Sequence, residues 1–189
     1  MTATAPVAVP EDRLLRAGLA REDRTEFRAA ERTWRALKRT PALAPLASWL
    51  LARQQVRLGK LRLARRSLGD GRGLPLLHES LAVLVDAVRG LTTDLGPRLA
   101  ALQRAWRQTL PTLRGLGPVA RAVYARGAAD WTDTLWLCGR RRAASRSARG
   151  VLARLDHPEV RVRVANYAWG RGRTAVARRV LAPCTRTIP

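Results

Sequence analysis

Residues with reactive side chains are scarce in this chain of 189 residues. It has two histidines, His78 and His157, and two cysteines, Cys138 and Cys184. Neither histidine has a second histidine or a cysteine at a metal-ligand spacing, so the sequence predicts no zinc site. Two cysteines without a framework spacing indicate reduced thiols in a cytoplasm. We therefore expect no catalytic residues, no metal, no cofactor and no small-molecule substrate.

Long hydrophobic runs are also missing. The apolar runs are far shorter than the roughly 20 residues that a membrane-spanning helix needs. The N-terminus has no basic segment followed by a long apolar run, so it does not have the pattern of a signal peptide. We expect a soluble, cytoplasmic protein without a membrane partner.

Acidic residues are few: 14 against 36 basic residues, which gives a formal net charge of +22. Only Lys38 and Lys60 are lysine, and a GC-rich genome explains that bias but not the net charge. Residues 139–186 hold thirteen arginines against two acids, Asp156 and Glu159. Such dense positive charge is self-repelling unless a polyanion neutralises it. Arginine also forms bidentate hydrogen bonds with phosphate groups. This stretch therefore predicts a nucleic-acid partner.

Strand patterns are rare, and helical spacing dominates. Residues 1–10 read as a flexible arm. Residues 76–91 form the most apolar helix, and we place this helix at the centre of the fold. The prediction is an all-α, compact bundle of about six to eight helices: a helical bundle over 11–128 and a basic helical part over 129–189 packed on the same body.

Several elements are ambiguous in the sequence. We expect one helix over 11–39, one over 43–67, a short helix over 118–126 and a separate one after Gly127. Val160 to Val164 alternate with the period of a strand, but Pro158 fits a first helical turn, so helix is favoured.

Candidate binding residues are arginines in helical stripes or dense tracts. Arg53, Arg57 and Lys60 would share one helix face, and residues 139–150 are the best candidate for direct contact with a nucleic-acid backbone. The alternatives are a solvated helix face and a disordered basic tract. Trp169 is a stacking candidate, as is Tyr167, although both fit a core. The phosphate-binding candidates are Arg53, Arg57, Lys60, Arg140, Arg141, Arg142, Arg146, Arg161, Arg163, Arg171 and Arg173.

Two pairs of acids are spaced three residues apart: Asp130 with Asp133, and Asp156 with Glu159. Carboxylates so arranged can hold Mg²⁺ for phosphodiester cleavage, which leaves a nuclease as an alternative. Both pairs also fall where we predict helices to start, and acids there stabilise the exposed amide dipoles. We favour this capping role.

The segment from Asp156 to Ala165, Asp-His-Pro-Glu-Val-Arg-Val-Arg-Val-Ala, resembles the start of a second helix in a HEAT repeat. A second copy is not found, and a repeat stack needs about three copies, so no solenoid is expected. The longer segment 155–169 resembles the last helix of the small subunits of CRISPR effector complexes. Those subunits are compact, basic and all-helical, and they line the groove between guide RNA and DNA.

The resemblance implies a non-catalytic subunit of a ribonucleoprotein that binds RNA or DNA backbone without sequence preference, alongside other protein subunits. One alternative is a helical scaffold or adaptor that docks an acidic protein partner. Another is a ribosomal or plasmid-maintenance protein that binds nucleic acid.

Overall fold

The computed structural model describes residue 9 and residues 12–69, 73–91 and 95–185. Over these residues the chain forms ten α-helices and one 3₁₀ helix, and no strand. The expected arm over 1–10 lies outside the described residues except for Val9, which packs against the core. The helices are α1 (Arg13–Asp23), α2 (Phe27–Leu37), α3 (Ala44–Arg57), α4 (Leu61–Leu68), α5 (Pro75–Val88), α6 (Leu95–Thr109), α7 (Pro118–Leu137), α8 (Arg141–Leu152), α9 (Pro158–Trp169) and α10 (Thr174–Thr185), with the 3₁₀ helix Leu110–Gly115 between α6 and α7.

The helices are arranged as five consecutive pairs. Each odd-numbered helix packs against the even-numbered helix that follows it, and α3, α5, α7 and α9 also pack on one another in chain order. The first helix, α1, contacts α7 as well as its partner α2. The stack of pairs therefore closes on itself, because its first helix returns to the second half of the chain.

The all-α prediction is confirmed, but the number of helices was underestimated because two predicted helices are each divided by a turn. The helix expected over 11–39 breaks at Thr25, whose φ is 61°. The helix expected over 43–67 breaks at Gly59, which has a φ of 71°. Glycine adopts such a φ without steric penalty, and the reversed chain direction lets α4 pack back on α3.

The opposite error occurred at Gly127. We predicted a helix boundary there, whereas α7 is one continuous helix of 20 residues. Gly127 is required for close packing instead, because a Cβ at this position would lie 2.3 Å from Leu77 Cδ2 of α5. Asp130 thus lies inside α7 and does not cap a helix, which corrects our interpretation. The expected division at residue 128 also falls inside α7.

The helix predicted at Pro158 is confirmed, and the strand alternative is wrong. His157 precedes α9, and its Nδ1 accepts a hydrogen bond from the Glu159 amide at 3.2 Å. Proline at the first helical position needs no amide hydrogen. In the helix Val160 and Val164 share one face, which is buried, whereas Val162 lies on another face and is half-buried.

The central position of α5 is consistent with its contacts, since it packs against α3, α4, α6 and α7. Leu81, Val83 and Val85 are fully buried. Two neighbouring tryptophans are tied to it by hydrogen bonds of 2.9 Å: Trp49 donates to the Leu77 carbonyl, and Trp106 donates to Ser80 Oγ. Buried indole groups are thus satisfied by polar atoms of the core helix.

We predict that Gly18→Ala destabilises the protein by about 1 to 3 kcal/mol, the usual cost of overpacking. A Cβ on Gly18 would lie 2.3 Å from Trp34 Cη2, and this rigid indole ring is fully buried where α1 crosses α2. Urea denaturation measures the loss. Gly96→Ala is the control, since no described atom lies within 4 Å of a Cβ there. Equal stabilities of the two variants would contradict the described crossing.

Candidate functional site

Most of the basic tract 139–150 forms the first part of helix α8 (Arg141–Leu152), and Gly139 and Arg140 precede the helix. We call the four arginines at this helix start the α8 ridge: Arg140, Arg141, Arg142 and Arg146. All four side chains are exposed, and none forms an ion pair with a described residue. The Arg141 guanidinium carbon lies 5.4 Å from the centroid of the Trp136 ring, a cation–π distance. The ridge therefore presents positive charge to solvent on a rigid helix, and not on a disordered tract.

Tyr167 packs against Trp136, the ring that Arg141 of the ridge contacts. Its ring stacks on Trp136 with centroids 4.7 Å apart, and its hydroxyl donates to Asp133 Oδ1 at 2.6 Å. Burial, followed by the nearby Asp133 carboxylate, raises the pKa of Tyr167 above its usual range. The stacking role weighed for Tyr167 is therefore wrong, because its ring face is covered. Trp169 is different, with 66% of its surface exposed.

Two predicted phosphate ligands on α9 are engaged by the protein's own acids. Arg161 donates to both carboxylate oxygens of Asp156 at 2.5 Å. Arg163 donates to Asp133 at 2.8 Å. Arg171 and Arg173, in contrast, are exposed and form no ion pair among the described residues. They border a small cleft with Arg149 on the far side of α8 from α6.

The predicted stripe of Arg53, Arg57 and Lys60 does not exist as one helix face. Because α3 ends at Arg57, the exposed Lys60 lies after the turn and precedes α4. Arg57 is partly exposed but pairs with Glu159. Arg53 is 1% exposed, so it is a core residue and offers nothing to an external phosphate. The prediction that these three residues form one phosphate-binding face is therefore wrong.

Arg53 is the centre of a buried ionic cluster of five residues: Glu22, Arg53, Arg126, Asp130 and Glu159. Its Nε donates to the two oxygens of Asp130 at 2.9 and 3.0 Å, and its Nη2 donates to Glu159. Arg126, fully buried, donates through Nε to Glu22 at 2.9 Å. The cluster thus joins α1, α3, α7 and α9.

Charge balance explains how these ions are tolerated in the core. Three carboxylates face two guanidinium groups inside the cluster, while at its edge Arg57 pairs with Glu159 and Asp23 pairs with Arg126, so each buried ion has at least one partner of opposite charge. Burial opposes ionisation of Glu159, but Arg53, Arg57 and Arg126 outweigh burial and hold the pKa of this carboxyl well below its usual range. A buried charge survives only with such compensation.

The cluster also bears on the nuclease alternative. Each of the four acids that could have held Mg²⁺ has an arginine partner: Asp130 with Arg53, Asp133 with Arg163, Asp156 with Arg161, and Glu159 with Arg53 and Arg57. Across residues 9, 12–69, 73–91 and 95–185, no group of three or more acidic, histidine or cysteine side chains could hold a metal ion. The same part of the chain contains no helix long and apolar enough to cross a membrane.

Sequence reasoning missed the cluster, and only one signal could have revealed it. In the sequence, Arg53 directly follows the apolar run from Trp49 to Ala52, and Arg126 and Asp130 are the charged residues of an otherwise apolar stretch from Val123 to Trp131. A charged residue in such an apolar stretch predicts a buried ion pair. Glu22 stands between Arg21 and Asp23 and gives no such signal. Which partner it takes depends on tertiary contacts between residues about one hundred positions apart.

We predict that Arg53→Met destabilises the protein by about 3 to 5 kcal/mol, because Asp130 and Glu159 would remain buried without their shared partner. Urea denaturation gives the loss. Arg62→Met, on the exposed face of α4, removes the same charge and should change stability by about 0.5 kcal/mol or less. A loss below about 1 kcal/mol for Arg53→Met would contradict the described cluster.

The pH dependence of stability should report on His157. Burial, followed by the neighbouring Arg126 guanidinium, lowers the pKa of His157 to about 4. The unfolded histidine binds its proton near its ordinary pKa of 6.5, so stability contributed by the neutral ring is present above that pH and is lost as the pH falls toward 4. Protonation of Nδ1 would also remove the hydrogen bond from the Glu159 amide.

We therefore predict that wild type loses about 1 to 3 kcal/mol more than His157→Asn between pH 6.5 and pH 4.5. Asparagine keeps a capping oxygen but does not titrate. Denaturant midpoints at several pH values provide the comparison. Parallel pH profiles for the two proteins would rule out the buried neutral imidazole.

Comparison with solved structures finds a similar protein, whereas the other comparisons find no match. No family model matches the chain, and no curated protein matches it. The crystal structure of a thermophilic TPR protein from Thermus thermophilus is similar, with a TM-score of 0.56 and 26% sequence identity. The match covers 93% of this chain and 90% of that chain.

TPR proteins are stacks of helix–turn–helix repeats, and the five helix pairs described above agree with that architecture. The absence of a HEAT solenoid stays a prediction, but the structure does show helix pairs that follow one another along the chain. Their first helices begin at Arg13, Ala44, Pro75, Pro118 and Pro158. These unequal intervals hide the repetition from a search for a fixed period. The chain is thus built as a TPR-like succession of helix pairs.

Proposed function

We propose that this protein is a helical docking protein that binds an acidic protein partner through the α8 ridge. The observation that carries the proposal is the ridge itself: four exposed arginines, three on α8 and Arg140 directly before it, without ion-pair partners among the described residues. Charge of one sign on a fixed surface steers an oppositely charged partner and selects against like-charged ones. Catalysis has no part in this role.

The TPR-like architecture supports a protein partner. Stacks of helix pairs present extended surfaces that bind other proteins or peptides, and the similar solved structure is itself a TPR protein. In this chain the ionic cluster at Arg53 packs α1, α3, α7 and α9 against one another. The proposed surface lies instead on α8, which carries more arginines than any other described helix.

Nucleic acid is the second candidate partner. It is favoured by Trp169, which is 66% exposed and is followed by the exposed Arg171 and Arg173, an arrangement suited to stacking and phosphate contact. The role of a CRISPR small subunit remains a prediction from the sequence resemblance. It gains no support from the fold, since the similar structure is a TPR protein.

The test is a titration of fluorescently labelled polyglutamate and oligothymidine of equal formal charge across salt concentrations from about 50 to 200 mM. We expect polyglutamate to bind more tightly. Replacing Arg140, Arg141 and Arg142 with glutamine should weaken that binding and flatten its dependence on salt, because fewer charges are neutralised on binding.

The charge-matched control replaces Arg28, Arg32 and Arg62 with glutamine; all three are exposed and lie on α2 and α4. It should keep most of the affinity for polyglutamate. Tighter binding of oligothymidine than of polyglutamate would favour the second candidate, and equal losses in the two triple variants would mean that only net charge matters.

A further inference from the structure

A groove of about 350 Å³ separates α6 from α8 beside the α8 ridge. Arg107 of α6 and Arg146 of α8 line it, and Trp131 of α7 lies at its floor. Its volume is within the range of about 300 to 1,000 Å³ that is usual for ligand pockets. The groove is thus large enough to accept side chains of a bound segment.

The wall that α8 contributes is made of small residues. Ala143, Ser147 and Gly150 are spaced four and three residues apart, so they lie on one face of the helix. Their small side chains leave space between the two helices. Gly150 has no structural need for its missing side chain, because the nearest atom to a Cβ would be Arg154 Nη1 at 4.0 Å.

The charged groups that line the groove are all cations. Arg107 and Arg146 form no ion pair with a described residue, and no carboxylate from the described part of the chain lines the groove. Two guanidinium groups without counter-charges at one groove favour a ligand that brings anionic acceptors.

A carboxylate suits the groove better than a nucleobase. Trp131 is 1% exposed, and its ring is stacked on Trp106 with centroids 5.4 Å apart and planes 8° from parallel. The described lining residues leave no free aromatic face for a base to stack on, and stacking supplies much of the affinity for single-stranded nucleic acid. The two arginines can instead form charge-assisted hydrogen bonds with acidic side chains.

We propose that the groove between α6 and α8 receives acidic side chains from an extended segment of the partner, held between Arg107 and Arg146. This inference rests on the proposed function and assigns its specific contact. The length of α8 from Ala143 to Gly150 is about 10 Å, which matches about three residues of extended chain. The recognised feature is therefore a short run of acidic residues.

The experiment measures the binding of labelled hexaglutamate to the full chain by fluorescence anisotropy. The Arg107→Gln/Arg146→Gln double variant should bind at least tenfold more weakly than wild type, since both anion contacts are lost. Gly150→Leu should weaken binding similarly, because the leucine side chain enters the groove while every charge is kept. Leucine has a higher helix propensity than glycine, so α8 should remain folded.

The matched control is Arg28→Gln/Arg32→Gln on α2, which removes two exposed charges far from the groove in sequence and should bind within about twofold of wild type. Retained affinity in Gly150→Leu and in the groove double variant, with wild type still binding, overturns the groove site but leaves Arg140, Arg141 and Arg142 of the α8 ridge as the docking surface. Failure of wild type to bind hexaglutamate overturns both proposals. Circular dichroism confirms that each variant is helical.

Discussion

The Arg53 guanidinium, buried between α3, α7 and α9, sets the main constraint on this structure. A cation without solvent needs carboxylates at fixed positions, and these come from Asp130 and Glu159, which are far away in sequence. Arg126 likewise needs Glu22 of the first helix as its counter-charge. The helix pairs that contain α1, α3, α7 and α9 must therefore pack together, since these charges would otherwise lack partners.

The use of acidic residues in the interior also determines the charge of the outer surface. With only 14 acids in the chain, every carboxylate used in the interior is missing from the exterior. Glu22, Asp130 and Glu159 serve the ionic cluster, and the largely buried Asp86 serves Arg65 and Arg98. The arginines of α8 have no counter-charges among the described residues. The acids that form ion pairs in the interior are therefore the ones that the basic outer face lacks.

The sequence predicted what depends on local chemistry. Apolar spacing and proline positions gave the all-α class, the buried α5 and the start of α9 at Pro158. It failed where a residue's role depends on distant neighbours. Arg53 has the same helical spacing as a surface arginine, and Gly127 resembles a helix breaker until Leu77 packs against it. The exposure of Arg141, Arg142 and Arg146 on α8 could be predicted, because a side chain in solvent needs no partner from a distant part of the chain.

The closure through Arg53 has a consequence for how the chain acquires its structure. In an open repeat array each unit depends only on its neighbours, so folding can begin anywhere and spread. Here the counter-charge for α3 lies on α9, and a growing polypeptide on the ribosome lacks it until synthesis has passed Glu159. Until then Arg53 has only the carboxylates that precede Glu159 in the chain, so its set of counter-charges is complete only when α9 has been made.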